Sequence, residues 1–138
     1  MDLFVAIEKI DRTGDIVRFP FFTNHNDGPV ASGWLRVSHR ELDEKKSTPY
    51  QPFYKHLKEI KLKPGEIVPV DIEILSSSTL FERGEKLQVI VQGSDVYSYR
   101  LPKSQIIEHA SIVNKGEHAI YTGGKYDSHL LVPVIPAD

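Results

Sequence analysis

V-P-V-D-I-E-I-L, residues 68–75, sets Val68, Val70, Ile72 and Ile74 on one side of an extended chain and Pro69, Asp71 and Glu73 on the other. A two-residue period of this kind reads as a β-strand with one face in a core and one face in water. Pro69 cannot donate to a ladder, which puts it near the strand's start or puts the strand at a sheet edge. Just upstream, Leu62-Lys63-Pro64-Gly65-Glu66 presents Pro then Gly at the centre of a type II turn, where the glycine supplies the positive φ.

The same grammar extends in both directions. Downstream, Glu82-Arg83-Gly84-Glu85 is a turn, and Leu87, Val89 and Val91 then alternate with Gln88, Ile90 and Gln92. The runs 106–113 and 118–122 flank Asn114-Lys115-Gly116-Glu117 as a hairpin, and Leu130 to Ile135 is the last strand. Upstream, Leu3 to Ile10 is apolar on both faces and predicts a strand buried on both sides. A turn at 11–15, a strand from Ile16 to Phe22, turn-forming residues over 23–29 and a strand from Val30 to Ser38 follow. The charged stretch from His39 to Pro64, broken by Pro49 and Pro52, is an excursion in which Phe53, Leu57 and Ile60 support one short helical turn at most. About eight short strands and no long helix predict an all-β fold, and the long excursion favours a jelly-roll β-sandwich over an up-and-down barrel.

The chain has 138 residues, the size of one domain, and we read residues 1–138 as a single unit. It contains no cysteine, which rules out a disulfide scaffold, a thiolate metal site and a cysteine nucleophile, and which fits a reducing, cytoplasmic compartment. Seventeen Lys and Arg against 19 Asp and Glu give a formal charge of −2, so no basic excess points to nucleic acid. No run is long and apolar enough to cross a bilayer, and no targeting signal opens the chain. Neither a nucleic acid nor a membrane is an expected partner.

The residues carry no recognisable catalytic set. No G-x-S-x-G elbow is present, and Ser76-Ser77-Ser78 reads as a polar strand end. Ser38 and His39 are adjacent, and on a strand adjacent side chains face opposite ways, so the sequence predicts no dyad there. The six histidines, at 25, 39, 56, 109, 118 and 129, show no metal-ligand spacing, and no cofactor motif occurs. Lys55, Lys58, Lys61 and Lys63 lie among aromatics, but Glu41, Asp43, Glu44, Glu59 and Glu66 offset them, which reads as a solvated loop face. Trp34, Tyr97 and Tyr99 could offer rings to a sugar, as in a free-standing carbohydrate-binding module.

G-W-L-R-V-S-H-R-E-L-D at 33–43, S-T-P-Y at 47–50, L-K-P-G-E at 62–66, the run from Ser78 to Leu87, and S-H-L-L-V-P-V-I-P at 128–136 together resemble the C-terminal domain of the X-prolyl dipeptidyl peptidase and cocaine esterase family. The resemblance implies a galactose-binding-like jelly roll, here lacking its first strand or strands because Met1 directly precedes the strand at Leu3, as in a fragment or truncated product. Val96 to Lys103 departs from the family's usual loop. In that family the catalytic Ser, Asp and His lie in a separate α/β-hydrolase domain, so the resemblance carries no catalytic residue onto this chain. It implies an accessory role instead: bracing the hydrolase domain, walling the active-site mouth and supporting contacts in a homo-oligomer.

Alternation through 33–38 places Leu35 and Val37 on one face and Trp34, Arg36 and Ser38 on the other. A Trp and an Arg on one face, continued by His39 and Arg40, suit an inter-domain contact. A local role is equally open, with Arg36 pairing Glu41 or Asp43 to pin the loop. Trp34, Arg36, His39, Arg40 and Tyr50 are the interface or structural candidates.

Overall fold

The computed structural model describes residues 1–21, 25–96, 109 and 111–136. Its organising element is β1 (Asp2–Ile10), which is paired along both edges. On one edge β5 (Ala31–Arg36) runs antiparallel from Asp2↔Arg36 to Ile7↔Ala31, and β2 (Ile16–Val17) continues the pairing at Lys9 and Ile10. On the other edge β6 (Lys86–Gln92) pairs antiparallel from Phe4↔Gln92 to Ile10↔Lys86. A central strand covered on both faces needs apolar residues at successive positions, which is why Leu3, Phe4, Val5, Ala6 and Ile7 are all buried. Leu35 and Val37 complete this core.

A second, two-stranded antiparallel sheet joins β3 (Phe19–Phe21) to β4 (His25–Gly28). The described residues form an all-β architecture of two antiparallel sheets, consistent with a β-sandwich. Among them the only helical element is the 3-10 turn Val37–His39, and no helix is long and apolar enough to cross a membrane.

Several turns lie where the sequence places them. Asp11 accepts hydrogen bonds from the N–H groups of Thr13, Gly14 and Asp15. Gly65 has φ 76°, and the Glu66 N–H donates to the Lys63 carbonyl at 3.0 Å, as the Pro-Gly turn requires. Glu85 N–H donates to the Glu82 carbonyl at 3.1 Å.

Other expectations need correction. Residues 25–28 form strand β4 within the stretch read as turn, because a backbone ladder with β3 accepts Asn, Asp and Gly without asking anything of their side chains. The strand expected to reach Ser38 stops at Arg36. The Val37 N–H is taken by the Met1 carbonyl, and the Val37 carbonyl accepts from the Arg40 N–H, so the chain curls into the 3-10 turn.

Residues 68–75 belong to no ladder among the described residues. The Leu75 N–H donates to the Ser32 carbonyl at 2.9 Å, but at Gly33 the Glu73 backbone crowds β5 so closely that a Cβ would overlap the Glu73 carbonyl oxygen. Their alternation survives as burial over 68–72, where Val68, Val70 and Ile72 are half-buried and Pro69 and Asp71 exposed, but it breaks at Glu73, which is half-buried like its neighbour Ile74. The expected helical turn near Leu57 is only a bend. Of the hairpin expected at 106–122, residues 106–108 and 110 lie outside the described residues, and 118–122 form no strand among the described residues. Leu130 to Ile135 is likewise unpaired among the described residues.

Candidate functional site

The excursion after the 3-10 turn folds back on itself and brings its middle beside β5. Asp43 N–H donates to the Phe53 carbonyl at 2.7 Å, Lys55 N–H to the Glu41 carbonyl at 2.9 Å, and Ile60 N–H to the Ser38 carbonyl at 2.7 Å. Isolated bridges at Leu42↔Tyr54 and Thr48↔Gln51 complete this return. Arg40 locks its base, donating through Nη1 to the Val37 carbonyl at 3.0 Å and the Ile60 carbonyl at 2.6 Å. Arg40 is therefore a loop anchor.

The return sets Tyr54 and His56 opposite His39. The His39 and His56 rings lie 5.8 Å apart, as do those of Tyr54 and His56, and the Tyr54 hydroxyl donates to the Asp71 carbonyl. His56 holds φ 52°, a left-handed conformation uncommon for a side-chain-bearing residue. From the β5 side come Trp34 and Arg36, and His109 stands over Trp34 with ring centroids 4.5 Å apart. These residues line a cleft of about 480 Å³.

His109 is firmly held. Its ring nitrogen Nδ1 lies 2.8 Å from one Asp95 carboxylate oxygen, its backbone N–H donates to the other at 2.6 Å, and Phe4 meets its ring edge-on at 5.2 Å. Trp34, resting on that ring, stays 52% exposed.

Arg36 pairs with neither Glu41 nor Asp43. Its Nε donates to Asp2 at 2.8 Å and its Nη2 to the Ser111 carbonyl at 2.7 Å. The loop acids are engaged elsewhere, Glu41 with Lys55 at 3.0 Å and Lys58 at 3.8 Å. The reason is register: Asp2 stands directly across the ladder from Arg36, and an opposite charge in that position is the nearest partner available. Burial pushes the Asp2 carboxyl upward, but the Arg36 hydrogen bond and charge, with the Val113 N–H, outweigh it and hold the group below its ordinary value of 3.8. Arg36 is raised in turn, first by the hydrogen bond it donates to Asp2.

Of the five candidates, the fold gathers Trp34, Arg36 and His39 into one cleft, uses Arg40 as an anchor and leaves Tyr50 outside, 74% exposed in the Thr48–Gln51 turn. Tyr54, His56 and His109 complete the cleft. Single-sequence reading does not find them, since they arrive from segments far apart in the chain. The one available signal is Tyr54-Lys55-His56, which puts Tyr54 and His56 two residues apart in an otherwise charged loop.

The 3-10 turn also corrects the expectation for Ser38 and His39. Ser38 Oγ and His39 Nδ1 lie 3.2 Å apart, which the 3-10 turn permits because it sets adjacent side chains about 120° apart where a strand points them to opposite faces. No carboxylate bonds His39 among the described residues, so the orienting third member of a triad is missing. No group of three or more His, Cys, Asp or Glu is arranged to hold a metal among the described residues. Lys61 pairs with Glu59 at 3.4 Å, and with Lys55 and Lys58 on Glu41 this accords with a solvated loop face. Tyr97 and Tyr99 lie outside the described residues.

Three findings from known proteins bear on this arrangement. Residues 1–131 match the family described as the X-Pro dipeptidyl-peptidase C-terminal non-catalytic domain. A crystal structure of a CocE/NonD family hydrolase from Staphylococcus aureus superposes with a TM-score of 0.88 at 55% identity, covering 93% of this chain and 24% of that one. A second crystal structure of a Staphylococcus aureus CocE/NonD family hydrolase gives the same TM-score and identity and covers 23% of its chain. No curated protein matches the chain. The chain thus spans about a quarter of the length of the solved structures it resembles.

Proposed function

Since the chain belongs to the family of X-Pro dipeptidyl-peptidase C-terminal non-catalytic domains, we propose that it serves a larger serine hydrolase as an accessory domain. In this reading an α/β-hydrolase domain supplies the nucleophile and the oxyanion donors. The present chain, a jelly roll of the galactose-binding-like type, braces that domain, helps to wall the mouth of its active site and supports contacts between copies. The observation that carries the reading is the family match over residues 1–131. The much greater length of the Staphylococcus aureus hydrolase, of which this chain covers 24%, supports it. The absence of cysteine supports a cytoplasmic setting.

Acyl transfer needs a nucleophile within hydrogen-bond reach of an oriented base and donors placed for the oxyanion. Among the described residues Ser38 lies beside His39, and no carboxylate orients that histidine. The purified chain therefore leaves p-nitrophenyl esters and X-Pro amides unhydrolysed above buffer, and a fluorophosphonate probe does not label it. Stoichiometric labelling of Ser38, lost in His39→Ala, would overturn the accessory reading.

A further inference from the structure

We propose that the Trp34 cleft is the face on which the hydrolase domain of the same polypeptide seats, through a loop that lays an apolar side chain over the Trp34–His109 pair and offers a carboxylate or carbonyl oxygen to Arg36. The inference rests on the accessory-domain reading and adds to it a face, an anchor and the chemistry of the occupant.

The first support is preorganisation. Trp34 is 52% exposed, yet its ring rests on His109, which Asp95 and Phe4 hold from behind. An aromatic anchor already fixed in position loses little further freedom when covered, and that is the cost that most often weakens association. The second is composition. Trp, Tyr and Arg are the residue types that dominate binding hot spots, and the cleft brings together Trp34, Tyr54 and Arg36. The face of β6 offers Leu87, Val89 and Val91 instead, each 40 to 44% exposed, with none of those three types.

The third support is the unspent donor of Arg36. Its Nε and Nη2 are taken by Asp2 and the Ser111 carbonyl, which leaves Nη1 without a hydrogen-bond partner among the described residues. The guanidinium is thus positioned and still able to bind one oxygen. A planar fork held in this way suits a carboxylate or carbonyl of the occupant.

The occupant is indicated by the length of chain outside the matched region. The solved relative has the larger part of its length outside the matched region.

The test is a chimera in which this chain replaces the matched region of the Staphylococcus aureus hydrolase, compared with the free 138-residue chain by hydroxyl-radical footprinting and mass spectrometry. We expect oxidation of Trp34, the chain's single tryptophan, to fall about tenfold in the chimera along with that of Tyr54 and His56, as for anchors moved into a desolvated contact, while Tyr50 and Leu80 stay reactive. A second readout is Trp34→Ala, which should leave the melting temperature of the free chain nearly unchanged and lower that of the chimera. If Leu87, Val89 and Val91 are protected instead and Trp34 oxidises equally in both, the cleft assignment is overturned while the accessory reading stands. If no residue is protected and the two parts of the chimera melt independently, both are overturned.

Discussion

β1 and the closing run at 130–135 are both apolar, and they meet opposite fates. Leu3 to Ile7 are buried between two paired edges, whereas Leu131, Val134 and Ile135 are 54, 79 and 91% exposed and pair with no strand among the described residues. Hydrophobicity alone therefore does not make a core. A strand must also find neighbours whose ladders satisfy its N–H and C=O groups while their side chains cover its faces. β1 finds β5, β2 and β6 within the chain, and the closing run finds none of them.

The largest expected effect separates the two regions directly. Leu35→Ala, opposite Leu3 in the core, should cost about 2–5 kcal/mol in a urea titration of the chain. Ile135→Ala, a truncation of comparable size, should stay within about 0.5 kcal/mol of wild type. Equal losses at the two positions would dissolve the contrast.

Gly33→Ala comes next. Its Cβ would meet the Glu73 carbonyl oxygen, so either the backbone at 73–75 moves or β5 does, at a cost of about 1–3 kcal/mol. The methyl shift of Ile74 should report which of the two gives way. A neutral Gly33→Ala would mean that the contact is slack.

Asp2→Asn removes the charge that pairs Arg36 and should cost about 1–3 kcal/mol near neutrality. The Asp2 carboxyl is held below its ordinary value in the folded chain, so its stabilising contribution is complete above 3.8 and fades as pH falls through the lower folded value. Stability measured at about pH 5 and about pH 3 should drop in wild type more than in Asp2→Asn. The same drop in both proteins would assign the acid sensitivity to other carboxylates.

The smallest effect belongs to the exposed pair Arg12–Glu82, at 2.6 Å but with both side chains mostly in water. Glu82→Gln should move the urea midpoint by no more than an ordinary surface change, about 0.5 kcal/mol, and less in high salt.

Much of this was legible in the residues. The two-faced apolar run at Leu3 to Ile10 predicts a central strand, and Pro64-Gly65 and the 82–85 segment predict turns that form as expected. The alternation at 68–75 marks the half-buried side chains as far as Ile72 and fails at Glu73, which is half-buried as well. Period reports burial, however, and ladder pairing depends on a neighbour's register, which a single strand's residues do not encode. The strand ending at Arg36 was hidden for a similar reason, since it depends on the Met1 carbonyl taking the Val37 N–H across the ladder. In the cleft, Trp34 and Arg36 stand out as residue types on one face of one segment. Tyr54, His56 and His109 do not, because only the folded return of residues 40–60 and the placement of His109 bring them there.

Hydrogen exchange tests most directly the claim that this chain's stability is concentrated around β1 and completed by a hydrolase domain. In the free chain slow amides are expected across β1 and the residues of β5 and β6 paired to it, and fast exchange over 112–136, which forms no named strand among the described residues. In the chimera with the Staphylococcus aureus hydrolase, 112–136 should gain protection while β1 changes little. Protection over 112–136 equal to that of β1 in the free chain, and unaltered in the chimera, would contradict it.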